Sequence, residues 1–550
     1  MSNPALLAER HTRRLPRPGL LALCAAYALP GLLGRDPWRN ADLLAYAQMK
    51  GIAEGRIDWL VPTLGGVPTG DAAWLAHGLG ALAIAALGPL TGPELAARLP
   101  FTLLLVLTMA LVWYATFHLA RTDNALPLPL AFGGQPAPVD YARAIADGAL
   151  LALLATLGLL QLGHETTPEL VQLFGVGLLL YGLAQAPWQF VLAALCVPLS
   201  LVVLSFSGAP AMALALGVGA TAVCAGSAYP GVRRLAWVVG TATVLTAAAA
   251  TAAEAWRWRV APPDALGDWA SLARQWLWFL WPAWPLALWT LWRWRAHWLH
   301  RHVSVPLVVT GVGLAANLLM GGSDRALLLA LPGLAVLAAF ALPTFRRSTS
   351  AAIDWFSVFF FTLAAAAIWV IYIAMQTGVP AKPAANVAKL ATGFEPQVVW
   401  PAVALAGLGT MAWVGLVRWR TGRHREALWK SLALPAGGVA LCWLLLMTLW
   451  LPLLDYARSM RVWIDRVAAV VPAGDCVSVQ ASPAVSVAAL DQDGRWRVNA
   501  APETPAGCAW QIRVSRQGAP AAPGPEWAWV ADLRRPTDRD EVTSVFRRRP

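Results

Sequence analysis

Four residues near the start of this 550-residue chain have types and spacing suited to chemistry. In WRNADLLAYAQMKGIAEGRIDWLVP, residues 38–62, Asp42, Tyr46 and Lys50 recur at every fourth position, which places them along one side of a helix. Arg39 stands just ahead of them. A partly desolvated carboxylate within reach of a hydroxyl proton is a general base, and nearby cations hold an anionic leaving group. Each residue also has a plainer reading. Asn40 is a helix-capping type, an acidic residue stabilises a first helical turn, Tyr46 suits a membrane interface, and Lys50 suits solvent. The surrounding elements decide between the two.

Those elements are largely apolar. The chain is 58% hydrophobic and 13% charged, with 30 Trp and 41 Pro. A soluble protein is about 45–50% apolar and about 25% charged, so this composition excludes a large soluble enzyme. Stretches suited to crossing a bilayer, about 17–25 residues each, fall near 18–34, 99–120, 145–162, 169–186, 188–206, 209–226, 235–253, 275–292, 303–320, 326–342, 353–375, 398–417 and 431–453. The expected fold is therefore mainly α, a polytopic membrane protein of about thirteen transmembrane helices. Arg10, Arg13, Arg14 and Arg17 precede the first stretch, which reads as an uncleaved signal anchor.

The net charge of +12 is distributed in short clusters between apolar runs, so it marks topology and not nucleic-acid binding. With the N-terminus in the cytoplasm, Arg121, Arg143, Arg233, Arg234, Arg293, Arg295, Arg301 and the cluster from Arg418 to Lys430 fall on the inner side. An odd number of spans then puts the C-terminus on the outer side, a compartment that permits disulfides. Cys476 and Cys508, which stand in the polar tail while the other four cysteines lie in apolar runs, are free to pair in that compartment.

Two outer regions are long. Residues 35–98 carry the opening stretch and a short apolar helix near 72–88, which reads as lying on the membrane. Residues 457–550 follow the transmembrane domain of 1–456 as a small α/β periplasmic domain. There YARSMRVWIDRVAAVV reads as one amphipathic helix, and CVSVQ, VSVAAL, WRVNA, WQIRVS and WAWVADL read as short β-rich runs.

This order of parts resembles the polyprenyl-phosphate-dependent glycosyltransferases of the GT-C type, in particular the aminoarabinose transferase and protein O-mannosyltransferase group. The matching residues are Asp42, Tyr46 and Asp58-Trp59-Leu60-Val61-Pro62. Where the family usually has Glu after the first acidic residue, this chain has Leu43. Where the family has Lys-Pro before an aromatic, this chain has Pro68-Thr69-Gly70-Asp71-Ala72-Ala73-Trp74, with Asp71 as the polar candidate for substrate binding. LGHETTPE matches the family's second acidic position at the outer end of the third span and offers His164 and Glu165. GGSDRALLLALPGLAVL matches its basic residue, Arg325.

The resemblance implies transfer of a sugar from a polyprenyl phosphate carrier to an envelope acceptor: lipid A, another glycolipid, a polysaccharide or a protein. Asp42 would be the base, with His164 and Glu165 orienting it or the acceptor. Arg325, Arg39, Lys50, Tyr46 and Asp71 would bind substrate. No cofactor is firmly implied; a divalent cation is left open, although a monophosphate donor needs none in principle. Two other classes stand beside this reading, a flippase or transporter of lipid-linked sugars and a GT-C scaffold without catalysis.

Overall fold

The computed structural model of the chain describes residues 4–549 apart from 6, 71, 130–133, 258–259, 346, 422–426, 481, 503–506, 517, 519–522 and 539, and apart from the side chains of 10, 347 and 421. Among the described residues, eight helices are long and apolar enough to cross a membrane: Trp74–Thr91, Pro93–Ala120, Pro230–Ala252, Arg301–Leu319, Asp324–Thr344, Ser348–Thr377, Trp400–Arg420 and Lys430–Leu449. Shorter apolar helices, Phe190–Phe206 and Pro210–Ala225, accompany them. The fold is polytopic and mainly α; the first stretch expected to cross, 18–34, is helical only over Arg17–Ala28. Trp74–Thr91, expected on the surface, is itself long enough to cross.

The chain divides into two compact units, one of residues 1–30, 101–366 and 404–445, the other of 31–100, 367–403 and 446–550. Among the described residues, the first unit has helices and no strands. Its helices begin where Pro supplies a preset φ at a position whose N–H needs no partner, as at Pro138, Pro168, Pro210 and Pro230. Two expected spans are interrupted. Pro138–Ala155 gives way to Leu157–Leu162 at an extended Thr156, and Leu266–Phe279 gives way to Ala283–Arg293 before Pro282. The breaks satisfy each other: Leu157 N–H donates to Trp281 O at 3.0 Å, which is how irregular backbone is tolerated inside an apolar bundle.

The second unit takes in the 31–100 region together with the tail. A two-residue hairpin, β1 (Thr63–Leu64) and β2 (Val67–Pro68), precedes a five-stranded sheet of β3 (Cys476–Val479), β4 (Arg497–Asn499), β5 (Trp510–Ser515), β6 (Trp527–Leu533) and β7 (Val542–Arg548). The order is β4-β3-β5-β7-β6, with β3 parallel to both β4 and β5 and the remaining pairs antiparallel. Two sequence expectations are corrected here. VSVAAL lies in the helix Ala484–Asp493, because parallel β3 and β4 require a crossover that a tight turn cannot supply. The helix expected from YARSMRVWIDRVAAVV is split into Leu451–Arg458 and Arg461–Ala468. At the break Ser459 Oγ donates to Asp36 Oδ2 at 2.7 Å and accepts from Arg461 N–H at 2.9 Å. β7 was not anticipated. It runs in the sheet interior between β5 and β6 with five successive buried residues, so it lacks the alternation that marks a half-exposed strand. Cys476 and Cys508 are bonded at the head of this sheet, with Cα atoms 4.6 Å apart.

The helix Ala41–Ala53 belongs to the core of this unit. Its Leu43 and Ala47 pack with Trp463, Ile464, Val485, Ala488 and Ile512. The hairpin locks alongside: Ala500 N–H donates to Gly65 O at 2.8 Å. Gly65 has φ +56°, and a Cβ there would meet Ala500 and Val487 at 2.9 Å, so the close approach requires glycine.

Candidate active site

Asp42 sits in the first turn of Ala41–Ala53 and is buried. Its Oδ2 accepts from the Trp38 backbone N–H at 3.0 Å and faces Arg35 Nη2 at 3.4 Å. Both side chains of this ion pair are removed from water, at 0% and 1% exposure. A buried carboxylate needs such compensation, since an isolated ionised group in a low-dielectric interior is very costly. Asn40, whose type suggests a cap, has φ +80° and makes no side-chain cap bond. The Arg35 guanidinium lies 4.7 Å above the Trp38 ring, and Arg458 lies 4.9 Å from the same ring.

Three ionisable residues that sequence spacing did not single out complete this environment. Arg98 is buried, donates through Nη1 to Leu32 O at 3.4 Å, and feels the charges of Arg35, Asp42, Asp455 and Glu94. Its buried Nη2 has no hydrogen-bond partner among the described residues. Asp455 Oδ1 accepts from Asp36 N–H at 2.8 Å and Trp38 Nε1 at 3.2 Å. Burial and the neighbouring Asp36 charge push the Asp455 carboxyl above its ordinary value. Asp36 pairs in turn with Arg461. The signal available beforehand was weak: GRDPWRN and AARLP are charged stretches flanking apolar runs, a pattern shared with ordinary topology markers.

The other members of the stripe diverge from it. Tyr46 is buried, with its hydroxyl beside Glu94, and burial followed by the Glu94 charge raises its pKa. Lys50 Nζ donates to Gln492 O at 2.7 Å and lies 4.0 Å from Glu54. Arg39 pairs with Asp538 at 2.9 Å and with Glu541. The Lys50 and Arg39 side chains both fasten the Ala41–Ala53 region to the tail. Asp71 lies outside the described residues.

In the first unit, Glu165 and Arg325 are brought together from 160 residues apart. Glu165 Oε2 meets Arg325 Nη2 at 2.5 Å, while Glu165 Oε1 accepts from Gln161 Nε2 at 2.9 Å. Arg325 Nη1 also donates to Thr167 Oγ1 at 3.2 Å and to Glu169 Oε2 at 3.3 Å. Local sequence placed Glu165 before a helix start and Arg325 at a span end, and gave no hint that they pair. His164 presents Nδ1 to Leu160 O at 2.6 Å and Nε2 to Tyr27 O at 2.8 Å, with its ring 4.5 Å from that of Trp443. Both nitrogens face backbone carbonyls, which anchors the ring between these segments. Among the described residues, no group of three or more His, Cys, Asp or Glu is placed to hold a metal ion.

The fold is similar to that of a solved polytopic membrane protein. It superposes on the crystal structure of ArnT from Cupriavidus metallidurans bound to undecaprenyl phosphate with a TM-score of 0.61 and 14% identity, covering 96% of this chain and 98% of that one. The apo structure of the same protein gives a TM-score of 0.59, with the same identity and coverage. No protein-family model and no curated protein matches the chain by sequence. At 14% identity the likeness establishes the fold.

Proposed function

We propose that the chain is an integral inner-membrane glycosyltransferase that moves a sugar from a polyprenyl phosphate carrier to an envelope acceptor at the periplasmic face. The observation that carries this reading is the buried Asp42 carboxylate, held between Arg35 and the Trp38 amide in a fold similar to a protein solved with undecaprenyl phosphate. An Arg partner and a backbone N–H both favour the ionised carboxylate, the form a base must have.

In the proposed step, the acceptor hydroxyl gives its proton to Asp42 as its oxygen bonds to the anomeric carbon. The bond from that carbon to the phosphate oxygen breaks, and the polyprenyl phosphate leaves with the electron pair. A single displacement inverts the anomeric centre. The departing phosphate needs cationic donors. Arg98, with a buried Nη2 open for a further bond among the described residues, is the donor we assign beside Asp42. Because Asp42 is buried, the acceptor must displace a neighbouring side chain to reach it.

The test is transfer from a radiolabelled polyprenyl-phosphate sugar by the full chain reconstituted in lipid. Asp42→Asn should lower turnover by about 10²–10⁴-fold, the usual contribution of a general base. Undiminished turnover by correctly inserted Asp42→Asn protein eliminates Asp42 as the base.

A further inference from the structure

Arg121 follows the last turn of Pro93–Ala120, and its guanidinium rests against two aromatic rings, 4.4 Å from the centroid of Trp188 and 5.3 Å from that of Phe117. Phe117 is itself stacked on Trp113 at 5.5 Å. An arginine at a span end ordinarily reaches out to water on a flexible stem. Here the aromatic faces hold a partly buried guanidinium in place. Its N–H groups make no hydrogen bond and no ion pair among the described residues.

The groups around it are open as well. Trp188 stands two residues ahead of the helix Phe190–Phe206, whose start at Gln189 has no side-chain cap. The first amides of a helix have no partner within it and attract an anion. Phe190 and Val191, in that first turn, are exposed. Tyr181 of Pro168–Gln185 packs beside Pro93–Ala120, its ring 6.4 Å from that of Tyr114 and 6.0 Å from that of His118. One turn on, Gln185 O accepts from the Trp188 N–H at 2.8 Å, and Gln185 Nε2 lies 4.0 Å from Cys196 Sγ. His118 Nδ1 and Gln185 Oε1 are both buried without a hydrogen-bond partner among the described residues. Buried polar atoms are nearly always paired, so two unpaired ones flanking an unpaired guanidinium point to a ligand.

Two apolar stripes run away from this cluster. Leu103, Leu107 and Tyr114 are exposed on Pro93–Ala120, and Val191, Leu195 and Leu199 on Phe190–Phe206. Each set has the spacing of one helical side.

We propose that Arg121, Trp188 and the start of Phe190–Phe206 seat an anionic phospholipid with a hydroxylated headgroup, of the phosphatidylglycerol type. The phosphate takes the guanidinium, which pairs two oxygens at once, together with the first helix amides. The headgroup hydroxyls donate to His118 Nδ1 and Gln185 Oε1, and the acyl chains lie along the two stripes. Charge selects an acidic lipid, as at other basic pockets between transmembrane helices. The seat uses none of the residues assigned to catalysis, so it stands apart from the glycosyltransferase reading.

Native mass spectrometry of the full chain tests it, by titration in detergent with phosphatidylglycerol or with phosphatidylethanolamine of the same acyl chains. The first phosphatidylglycerol should bind about tenfold more tightly than the first phosphatidylethanolamine. Arg121→Gln should lower that affinity by about tenfold, the scale of one charge-assisted contact. Trp188→Leu should lower it by about threefold through loss of the stack. Arg233→Gln, at an exposed arginine outside the cluster, should leave it unchanged. Thermal unfolding without added lipid shows whether each variant is folded. Should Arg121→Gln melt early, Arg121→Lys takes its place, keeping the charge without the fork and giving a smaller loss. Equal affinity for the two lipids overturns the proposal, as does a loss in Arg233→Gln as large as that in Arg121→Gln. Displacement of phosphatidylglycerol by equimolar undecaprenyl phosphate or inorganic phosphate assigns the seat to another anion and overturns it too.

Discussion

Arg35 Nη2 lies 3.4 Å from Asp42 Oδ2, and neither side chain touches water. The seven-residue separation brings the arginine back over the first turn of Ala41–Ala53, where the Trp38 ring stacks beneath its guanidinium. The pair is a structural joint as well as the centre of the proposed chemistry.

Removing one partner takes the nearest opposite charge from a buried ion, at a cost of up to about 3–5 kcal/mol. Arg35→Met should therefore unfold the second unit at markedly lower temperature. Arg35→Met combined with Asp42→Leu should regain most of that loss while abolishing transfer. Thermal unfolding of the purified single and double variants measures the coupling; additive effects would show that the pair does not interact.

Arg325 holds two carboxylates with a planar fork that Lys cannot reproduce. Arg325→Lys should keep the charge yet reduce transfer by about tenfold to a hundredfold, on the scale of one or two charge-assisted hydrogen bonds. Steady-state kinetics with a lipid-linked donor decides this, and wild-type rates in the Lys variant would show that transfer does not need the Arg325 fork.

The tail should respond to acid through Asp538. Burial raises its pKa, but the hydrogen bond from Arg39 and those from the Asp540 and Glu541 N–H groups outweigh burial and hold the carboxyl below its ordinary 3.8. A folded-state pKa below the unfolded value means stability that is present above pH 3.8 and lost as pH falls through the folded value. The melting-temperature difference between wild type and Asp538→Asn should be full at pH 6 and should shrink below about pH 4. A difference independent of pH would contradict the pairing.

Cys476 and Cys508 close a loop with a sequence separation of 32. Loss of that cross-link should cost about 3–4 kcal/mol through the entropy of the unfolded chain. Limited proteolysis with and without reductant should show cleavage confined to residues 470–550 on reduction, and Cys476→Ala should reproduce that pattern without reductant.

Gly65 offers a sharper test of how the 31–100 region meets the tail. Gly65→Val would force a side chain against Ala500 and Val487 from a left-handed backbone conformation. Hydrogen exchange should quicken at Ala500, whose N–H is bonded to Gly65 O, while exchange at β7 stays slow.

Much of this protein is determined locally. Apolar length specifies the spans, because a helix that satisfies its own backbone is the stable form for a segment crossing lipid. Prolines at 138, 168, 210 and 230 mark helix starts for steric reasons that involve no distant residue. The every-fourth-residue spacing of Asp42, Tyr46 and Lys50 is likewise a property of the helix alone. Tertiary structure decided what these residues meet. The partners of Arg39 and Lys50 are Asp538 and Gln492, some 440–500 positions away, and no local pattern specifies such a pairing. The same holds for Glu165 with Arg325 and for Arg98 beside Asp42. VSVAAL became a helix because the parallel register of β3 and β4 demanded a crossover, overriding its β-branched composition. Spacing along one helix follows from backbone geometry, whereas the partner of a buried charge depends on which distant segments pack around it.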